Sequence, residues 1–523
     1  MKTMKKSILL FFMAFGLLAF GQSCSDEKIA VRQGAEDNEL TLKHNPGMNL
    51  IGRVTVDGQP RQGVAVSDGV SVVLTDANGE YQMRSSALSE YVYVSTPADC
   101  QLPVENGMPY FYRKIDFSDS HIIQRDFKLS SKAVDDSFKL LAITDVQIGT
   151  EHDDELCQPL MDSIANYTNS RKDIVLGLNM GDIVWNKPAQ YANYKQYIKK
   201  INVPVLNVIG NHDHNEKVAN DSLSVQEYRD ALGPTYYSYN IGQWHVVILD
   251  DVIKNGAQRN DYVSGINATQ LTWLKQDLAN VDKSKSILIG IHIPTSRRNN
   301  PNNHLSNRQA LYDLVKDFHR TVILSGHTHN NFTTDIAPNI REYTLGSVMG
   351  AYWNEYNGVG ICNDGSPRGF AVLSFKGNEL NDEYYKGEEH PQSYQIKIYP
   401  PAEASFRWGR VSGTIAAPAD AVPQRVDNST VLINVFNWNT DWTVTLSEDG
   451  GQPLPLTQNV TCLDPEAVKT LQGDNTWEYR PTAEPEKHND HNFLYTPKSK
   501  DWKTITVTAT DAFGNKYTAT LNK

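Results

Sequence analysis

Cysteine is scarce. Five occur among 523 residues, at Cys24, Cys100, Cys157, Cys362 and Cys462, and no two form a CxxC pair. That removes the usual signature of a thiolate zinc site or a dithiol redox motif. The four after Cys24 could pair in three ways, and their expected fate is burial as small apolar side chains. Positive charge is also short, with 49 Lys and Arg against 61 Asp and Glu and a net charge of −12. Non-specific nucleic-acid binding needs a basic face that displaces phosphate counterions, so no nucleic-acid partner is expected. Past the N-terminus no apolar run approaches the ~20 residues that span a bilayer, which excludes a multipass membrane protein. No repeat of solenoid period appears either. What is present is an ordinary globular balance, 40% apolar and 21% charged, long enough for about three domains at ~150 residues each.

The N-terminus carries an address. Lys2, Lys5 and Lys6 precede an apolar stretch from Ile8 to Phe20, followed by Gly21-Gln22-Ser23-Cys24. A basic start, a short apolar core and small residues before a cut read as a secretory signal over residues 1–23. Cys24 at the cut resembles a bacterial lipoprotein box, with Gly21 where Leu is usual. The resemblance implies lipidation of Cys24 and a membrane partner through that lipid. It places the protein outside the cytoplasm, at the outer membrane or cell surface or in the periplasm. Ser25-Asp26-Glu27 resembles the acidic tract that routes some lipoproteins outward. Residues 24–47 are polar and aperiodic, the pattern of a flexible tether.

Three folded regions are expected beyond it. Over 48–130, short β runs such as Leu50–Val56 and Val70–Leu74 alternate with Asp57-Gly58 and Asn78-Gly79 turns, predicting a small antiparallel β-sandwich. The stretch also resembles the prealbumin-type modules that precede catalytic domains in exported hydrolases. Over 137–385 the apolar runs become continuous: Leu140–Thr144, Ile174–Leu176, Val205–Ile209, Val246–Leu249, Ile287–Ile291 and Val322–Leu324. Such runs suit strands covered on both faces. Between them Asn267 and Gln270 open a helical pattern, and Ser306-Asn307-Arg308-Gln309 reads as a capping box before Leu311, Leu314, Val315 and Phe318. Strands alternating with helices give α/β layers. From 393 to 523 β texture returns, closing with Thr504–Thr510 and a turn at Phe513-Gly514-Asn515.

Polar residues cluster at the ends of five of the central runs. Asp145 and Gln147 follow the first and Gly181-Asp182 the second. Gly210-Asn211-His212-Asp213 ends the third, His292 the fifth, and Gly326-His327-Thr328-His329 the last. In open α/β sheets the carboxyl ends of strands form the ligand crevice, so these positions can meet in one site. Two carboxylates, amide oxygens and imidazoles without a thiolate suit a pair of divalent ions, Mn, Fe, Zn or Ni. A shared carboxylate would hold two such ions ~3.5–4 Å apart around a bridging hydroxide.

This order of motifs resembles the calcineurin-like metallophosphoesterase family: D-x-(H/Q), GD, GNHD, a lone His, then GHTH. The resemblance covers about half the chain and implies a central four-layer α/β sandwich flanked by two small all-β domains. It implies that Asp145, Gln147, Asp182 and His329 hold one metal. Asp182, Asn211, His292 and His327 hold the other, with Asp182 bridging. His212 becomes the second-sphere acid beside the scissile phosphate and Asp213 its orienting partner. Asp364-Gly365-Ser366-Pro367-Arg368-Gly369-Phe370 resembles the DGxPxGY stretch of an exported branch with such flanking domains. Gln147 stands where most members have His, and a neutral amide oxygen is a poorer donor, so the first metal is expected to be held more loosely.

Arg297, Arg298 and His304 follow His292 in a polar loop, where they could touch a substrate phosphate or only meet solvent. Tyr352, Trp353 and Tyr356 could wall a pocket or pack against a neighbouring domain. The expected activity is hydrolysis of a phosphoric ester, foremost a phosphodiester, by the metal-bridging hydroxide. The expected substrate is a small-molecule, glycan-linked or lipid-linked phosphoester. A phosphomonoesterase or pyrophosphatase with the same centre is the alternative, and a catalytically weak surface-binding lipoprotein the remaining one.

Overall fold

The computed structural model describes residues 40–86, 88–117, 121–297, 304–353, 355–356, 359–404, 429–472 and 489–523. Cys24, the signal segment 1–23, most of the 24–47 tether and Arg298 lie outside the described residues, and so does the side chain of Tyr356.

The central region is built from two mixed sheets. The first contains β1 (Ser137–Ile143), β2 (Ile174–Asn179), β3 (Val205–Asn207), and two later strands, Gly369–Lys376 and Glu379–Gly387. β3, β2 and β1 run parallel, and the two later strands extend the β1 edge antiparallel. The second contains β4 (Tyr237–Ile241), β5 (Trp244–Ile248), β6 (Ser286–Gly290), β7 (Thr321–Ser325), β8 (Phe332–Ala337) and β9 (Ile340–Thr344). Its order is β4-β5-β6-β7-β9-β8, parallel through β5, β6, β7 and β9.

Alternation along β1 explains the layering. Leu140 and Ala142 join Val246, Ile248, Leu288 and Ile323 of the second sheet in one core, while Leu141 and Ile143 face the other way. That outer face packs on Glu151–Asn169 through Cys157, Leu160 and Ile164, and on Tyr191–Ile198 through Tyr194 and Ile198. The core of the second sheet takes in Trp273 and Leu274 of Ala268–Leu278 and Leu311 of Arg308–Val315. Helix, sheet, sheet and helix make the expected four-layer α/β sandwich.

One helix start differs from the capping expectation. Asn267 caps as expected, its side chain accepting from Gln270 N at 2.9 Å. No side-chain cap forms at Arg308–Val315, because Asn307 is used across the fold, accepting from Ile266 N and donating to Ile266 O. A long-range pair of bonds outcompetes the local one.

The N-terminal β region is less uniform than predicted. Leu50–Val56 pairs antiparallel with Glu80–Met83 but parallel with Ile123–Gln124 and Phe127–Leu129. The chain passes through a second sheet, Val72–Leu74 to Tyr112–Lys114, before returning beside its first strand in the same direction. It docks on the central region through Trp273 Nε1 to Ser67 Oγ (3.0 Å) and Tyr236 OH to Gly69 O (2.6 Å). The C-terminal β region is two antiparallel sheets around Trp438, Trp442, Phe493 and Val507, plus a helix, Pro465–Gln472, that its β texture did not announce. Cys100, Cys157 and Cys362 are buried, and among the described residues no disulfide forms.

Candidate metal centre

Five strand ends deliver the side chains to one place. Asp145 and Gln147 follow β1, Asp182 follows β2, Asn211 and His212 follow β3, His292 follows β6, and His327 and His329 follow β7. Because the two sheets face each other, ligands from both meet in the crevice at their carboxyl ends. Single side-chain atoms of Asp182, His292 and His327 lie within 4.8 Å of one another. His292 Nε2 is 3.2 Å from Asp182 Oδ2 and 3.1 Å from Asn211 Oδ1. On the other side His329 Nε2 is 3.2 Å from Asp145 Oδ1, and the Gln147 amide nitrogen is 2.6 Å from Asp182 Oδ2. Asp182 thus touches both halves of the cluster, and the other six residues assigned as ligands gather around it.

The backbone is bent to do this. Asp145, Gln147, Asp182, His327 and His329 all have positive φ, between 43° and 68°. For non-glycine residues this costs on the order of 1–3 kcal/mol each and persists only where the surroundings enforce it, typically at functional sites. The motif glycines have a different task. A Cβ at Gly210 would run into the Asp182 carboxylate and one at Gly326 into Asp145 and Thr144, so both must be glycine for the ligands to close in.

The side chains are held from behind. Met180 O accepts from His292 Nδ1 at 2.8 Å, which turns Nε2 toward the cluster. Asp251, invisible to motif reading, accepts from the backbone N–H of His292 and Ile293 (3.2 and 2.7 Å). Asp145 Oδ2 accepts from Thr144 Oγ1 and His327 N (2.6 and 2.9 Å).

Charge and unmet bonding both call for cations here. Burial opposes ionisation of Asp182 and Asp145, yet the neighbouring imidazoles, His292 for the first and His329 for the second, hold both carboxyls below their usual range. Burial likewise opposes protonation of His292, but Asp182 raises it well above an ordinary imidazole. Among the described residues, Gln147 Oε1 and His329 Nδ1 are buried without a hydrogen-bond partner. Two buried carboxylates, imidazole nitrogens turned toward them and an orphaned amide oxygen fit divalent ions with mixed N and O ligands.

Two sequence assignments need correction. Asp213 does not orient the His212 ring: its oxygens accept from Ile183 N, Val184 N, Gly210 N and Tyr191 OH, fixing the backbone around Asp182. Burial, with Asp182 adding to it, raises the Asp213 carboxyl to about 7. The His212 ring instead has Asn186 Oδ1 3.2 Å from Nδ1, the Trp185 ring stacked at 4.5 Å, and Arg259 Nη2 3.5 Å from Nε2. Burial foremost, with Arg259 adding to it, lowers His212 to about 4. Trp353 is not a pocket wall. It is 1% exposed, donates to Gln147 O and packs beneath it, because the turn that brings Tyr352 to the cleft points the next ring inward.

A cleft of about 290 Å³ opens over the cluster, lined also by Arg259, Asn260, Tyr262, Arg297, Thr328 and Tyr352. Arg297 and Tyr352 therefore reach the site as the sequence allowed, and His304 is not among the lining residues. Arg259, Asn260 and Tyr262 come from the segment that turns from Val252–Lys254 to Tyr262–Ser264, a polar loop without any motif. Trp185 and Asn186 had one available signal, their place just after Gly181-Asp182.

Three family models match the chain: "Calcineurin-like phosphoesterase" over residues 138–331, "N terminal of Calcineurin-like phosphoesterase" over 48–132, and "C terminal of Calcineurin-like phosphoesterase" over 342–517. The chain is 26% identical over 188 residues to "Probable glycerophosphodiester phosphodiesterase GpdQ" of Arcobacter nitrofigilis, a match spanning 34% of this chain and 66% of that protein, just short of two thirds. Among solved structures it is similar to a dimetal phosphatase from Danio rerio (15% identity, 48% of this chain and 99% of that one, TM-score 0.33). It is similar also to a 5'-nucleotidase from Candida albicans (13% identity, 49% and 53%, TM-score 0.31).

Proposed function

From the premise that this chain belongs to the calcineurin-like phosphoesterase family, with the family's N- and C-terminal domains on either side of a phosphoester-hydrolase domain, we propose that it hydrolyses phosphodiesters outside the cytoplasm with two divalent ions. The observation that carries this is Asp182, a single buried carboxylate placed between an Asp145–Gln147–His329 group and an Asn211–His292–His327 group. Those two groups would each hold one ion, with Asp182 shared. Ions bound there supply Lewis acidity and compensate phosphate charge.

The chain's own residues do the rest. Asp251, the Met180 carbonyl and the loop glycines fix the ligands so that little rearrangement accompanies reaction. Arg259, backed by the Trp185 ring (4.8 Å to its centroid) and by His212, presents N–H groups to the departing oxygen. Tyr352 and Tyr262 shape the wall on which the organic part of the substrate rests. The name of the Arcobacter relative, a glycerophosphodiester phosphodiesterase, supports the diester reading. A second reading, cleavage of a pyrophosphate linkage, draws on Arg259 and Arg297, two cations in the cleft beyond the ligand set. Turnover with added Mn²⁺ on aryl monoesters, aryl diesters and nucleotide-sugar pyrophosphates separates these. Highest kcat/KM on the diester supports the proposal, and preference for the pyrophosphate replaces it with the second reading.

Gln147→His is expected to tighten the first metal by at least the roughly tenfold that lesser, outer-sphere changes produce, because imidazole is the stronger donor. Competition titration against a chelating dye reads this, and unchanged affinity would remove Gln147 from the ligand set. The signal segment and Cys24 support export and lipid anchoring. Cys24→Ala should move the protein from membrane to soluble fractions with turnover intact, since anchoring by acyl chains needs the modified residue. Unchanged membrane association would defeat lipidation at Cys24.

A further inference from the structure

The Asp364-Gly365-Ser366-Pro367-Arg368-Gly369 stretch has no place in the proposed chemistry, yet it lies against the loop that carries His327 and His329. Asn363 N donates to His329 O (3.1 Å) and Asn363 Nδ2 to Thr328 O (3.4 Å). Asp364 Oδ2 accepts from Asn331 N at 2.7 Å, two residues past His329. Asn331 in turn donates to Ser366 Oγ (2.8 Å) and accepts from Gly346 N (2.9 Å).

The same aspartate is gripped from the other side by the C-terminal β region. Its carbonyl oxygen accepts from Asn434 Nδ2 and Asn489 Nδ2 (2.9 and 2.8 Å), and its carboxylate faces His491 Nε2 at 3.3 Å. His491 Nδ1 is fixed by Asn434 Oδ1 at 2.7 Å, and Asn434 donates a further bond to Asp464. Asp364, Asn331, Asn434, Asn489 and His491 are all at most 3% exposed.

We infer that Asp364 and His491 are positioning residues through which the C-terminal region holds the His327–His329 loop in its metal-binding shape. Docking alone would be served as well by apolar side chains, because burying polar and charged groups brings little net stability. A network of directional hydrogen bonds instead fixes one geometry. The loop needs such fixing, since His327 and His329 have φ of 68° and 55°. The inference rests on the dimetal reading, and it makes the C-terminal region part of the hydrolase rather than a separate binding module.

The test titrates the chelator-treated full chain with Mn²⁺ and follows Tm and steady-state rates in parallel. Asp364→Ala and His491→Ala are expected to weaken Mn²⁺ binding by about 10- to 100-fold, the usual consequence of removing a residue that orients a ligand, and to lower kcat more than they change KM. Asp364→Asn, which keeps an oxygen for Asn331 N, should recover most of the affinity. Asn437→Ala removes a different bond to the central region, to Glu383 (2.9 Å); it should lower Tm but leave Mn²⁺ affinity within about twofold of wild type. Wild-type Mn²⁺ affinity in Asp364→Ala and His491→Ala, with only Tm reduced, would overturn the inference and leave the dimetal reading intact. A wild-type protein that binds no Mn²⁺ would overturn the dimetal reading and this inference with it.

Discussion

Replacing Asp182 by Asn is expected to abolish turnover, by at least about a thousandfold, and to reduce bound metal from two ions to one at most. A unit charge ~4 Å away is worth about 4 kcal/mol at an effective dielectric of about 20, or roughly three orders of magnitude in a binding constant. Asp182 Oδ2 meets ligand side chains of both halves of the cluster, Gln147 and His292, so both ions lose that charge together. Asparagine keeps the shape and can still accept the His212 N–H that Asp182 Oδ1 now accepts at 2.8 Å, which separates loss of charge from loss of fold. Elemental analysis after desalting measures the ions, and full two-ion occupancy in Asp182→Asn would contradict the shared-ligand assignment.

The second large effect concerns the leaving group. His212→Ala and Arg259→Gln should each slow esters of alkyl alcohols by about a hundredfold, the upper end for one charge-assisted hydrogen bond. Nitrophenyl esters should lose much less, because nitrophenolate departs with little help. With Asn186 Oδ1 at Nδ1 and Arg259 at Nε2, the ring works as a neutral hydrogen-bonding group that backs the guanidinium. Its lowering to about 4 agrees with that role: protonation falls below neutral pH, so the pH profile from 6 to 8 should be unchanged in shape by His212→Ala. The measurement is kcat/KM on matched alkyl and aryl diesters with metal content checked. Equal losses on both would withdraw the pair from the leaving-group side.

Much of this site was legible because its chemistry sits at strand ends. Once Ile143, Asn179, Asn207, Gly290 and Ser325 are read as the last residues of parallel strands, Asp145, Asp182, Asn211, His292 and His327 have to share a crevice. The residues that support them were not legible, for physical reasons. Arg259 lies 47 positions from His212 on a loop with no periodicity, and nothing local requires it to fold back. Asp213 was assigned by adjacency to His212, but its side chain turns to four donors around Asp182 that only the folded loops supply. Trp353 and Tyr352 are neighbours of one type with opposite fates, decided by a turn in which both have positive φ. In the N-terminal region alternation gave the strands, while the parallel pairing of Leu50–Val56 with Phe127–Leu129 depends on a return path that no short window contains.

The most direct measurement titrates metal-free protein with Mn²⁺ while recording, in the same samples, ions bound per chain and rate on an aryl phosphodiester. Two bound ions, with hydrolysis appearing only as the second site fills, is the predicted result. Undiminished hydrolysis by the metal-free protein, or no Mn²⁺ bound at Asp182, would contradict the dimetal phosphodiesterase assignment.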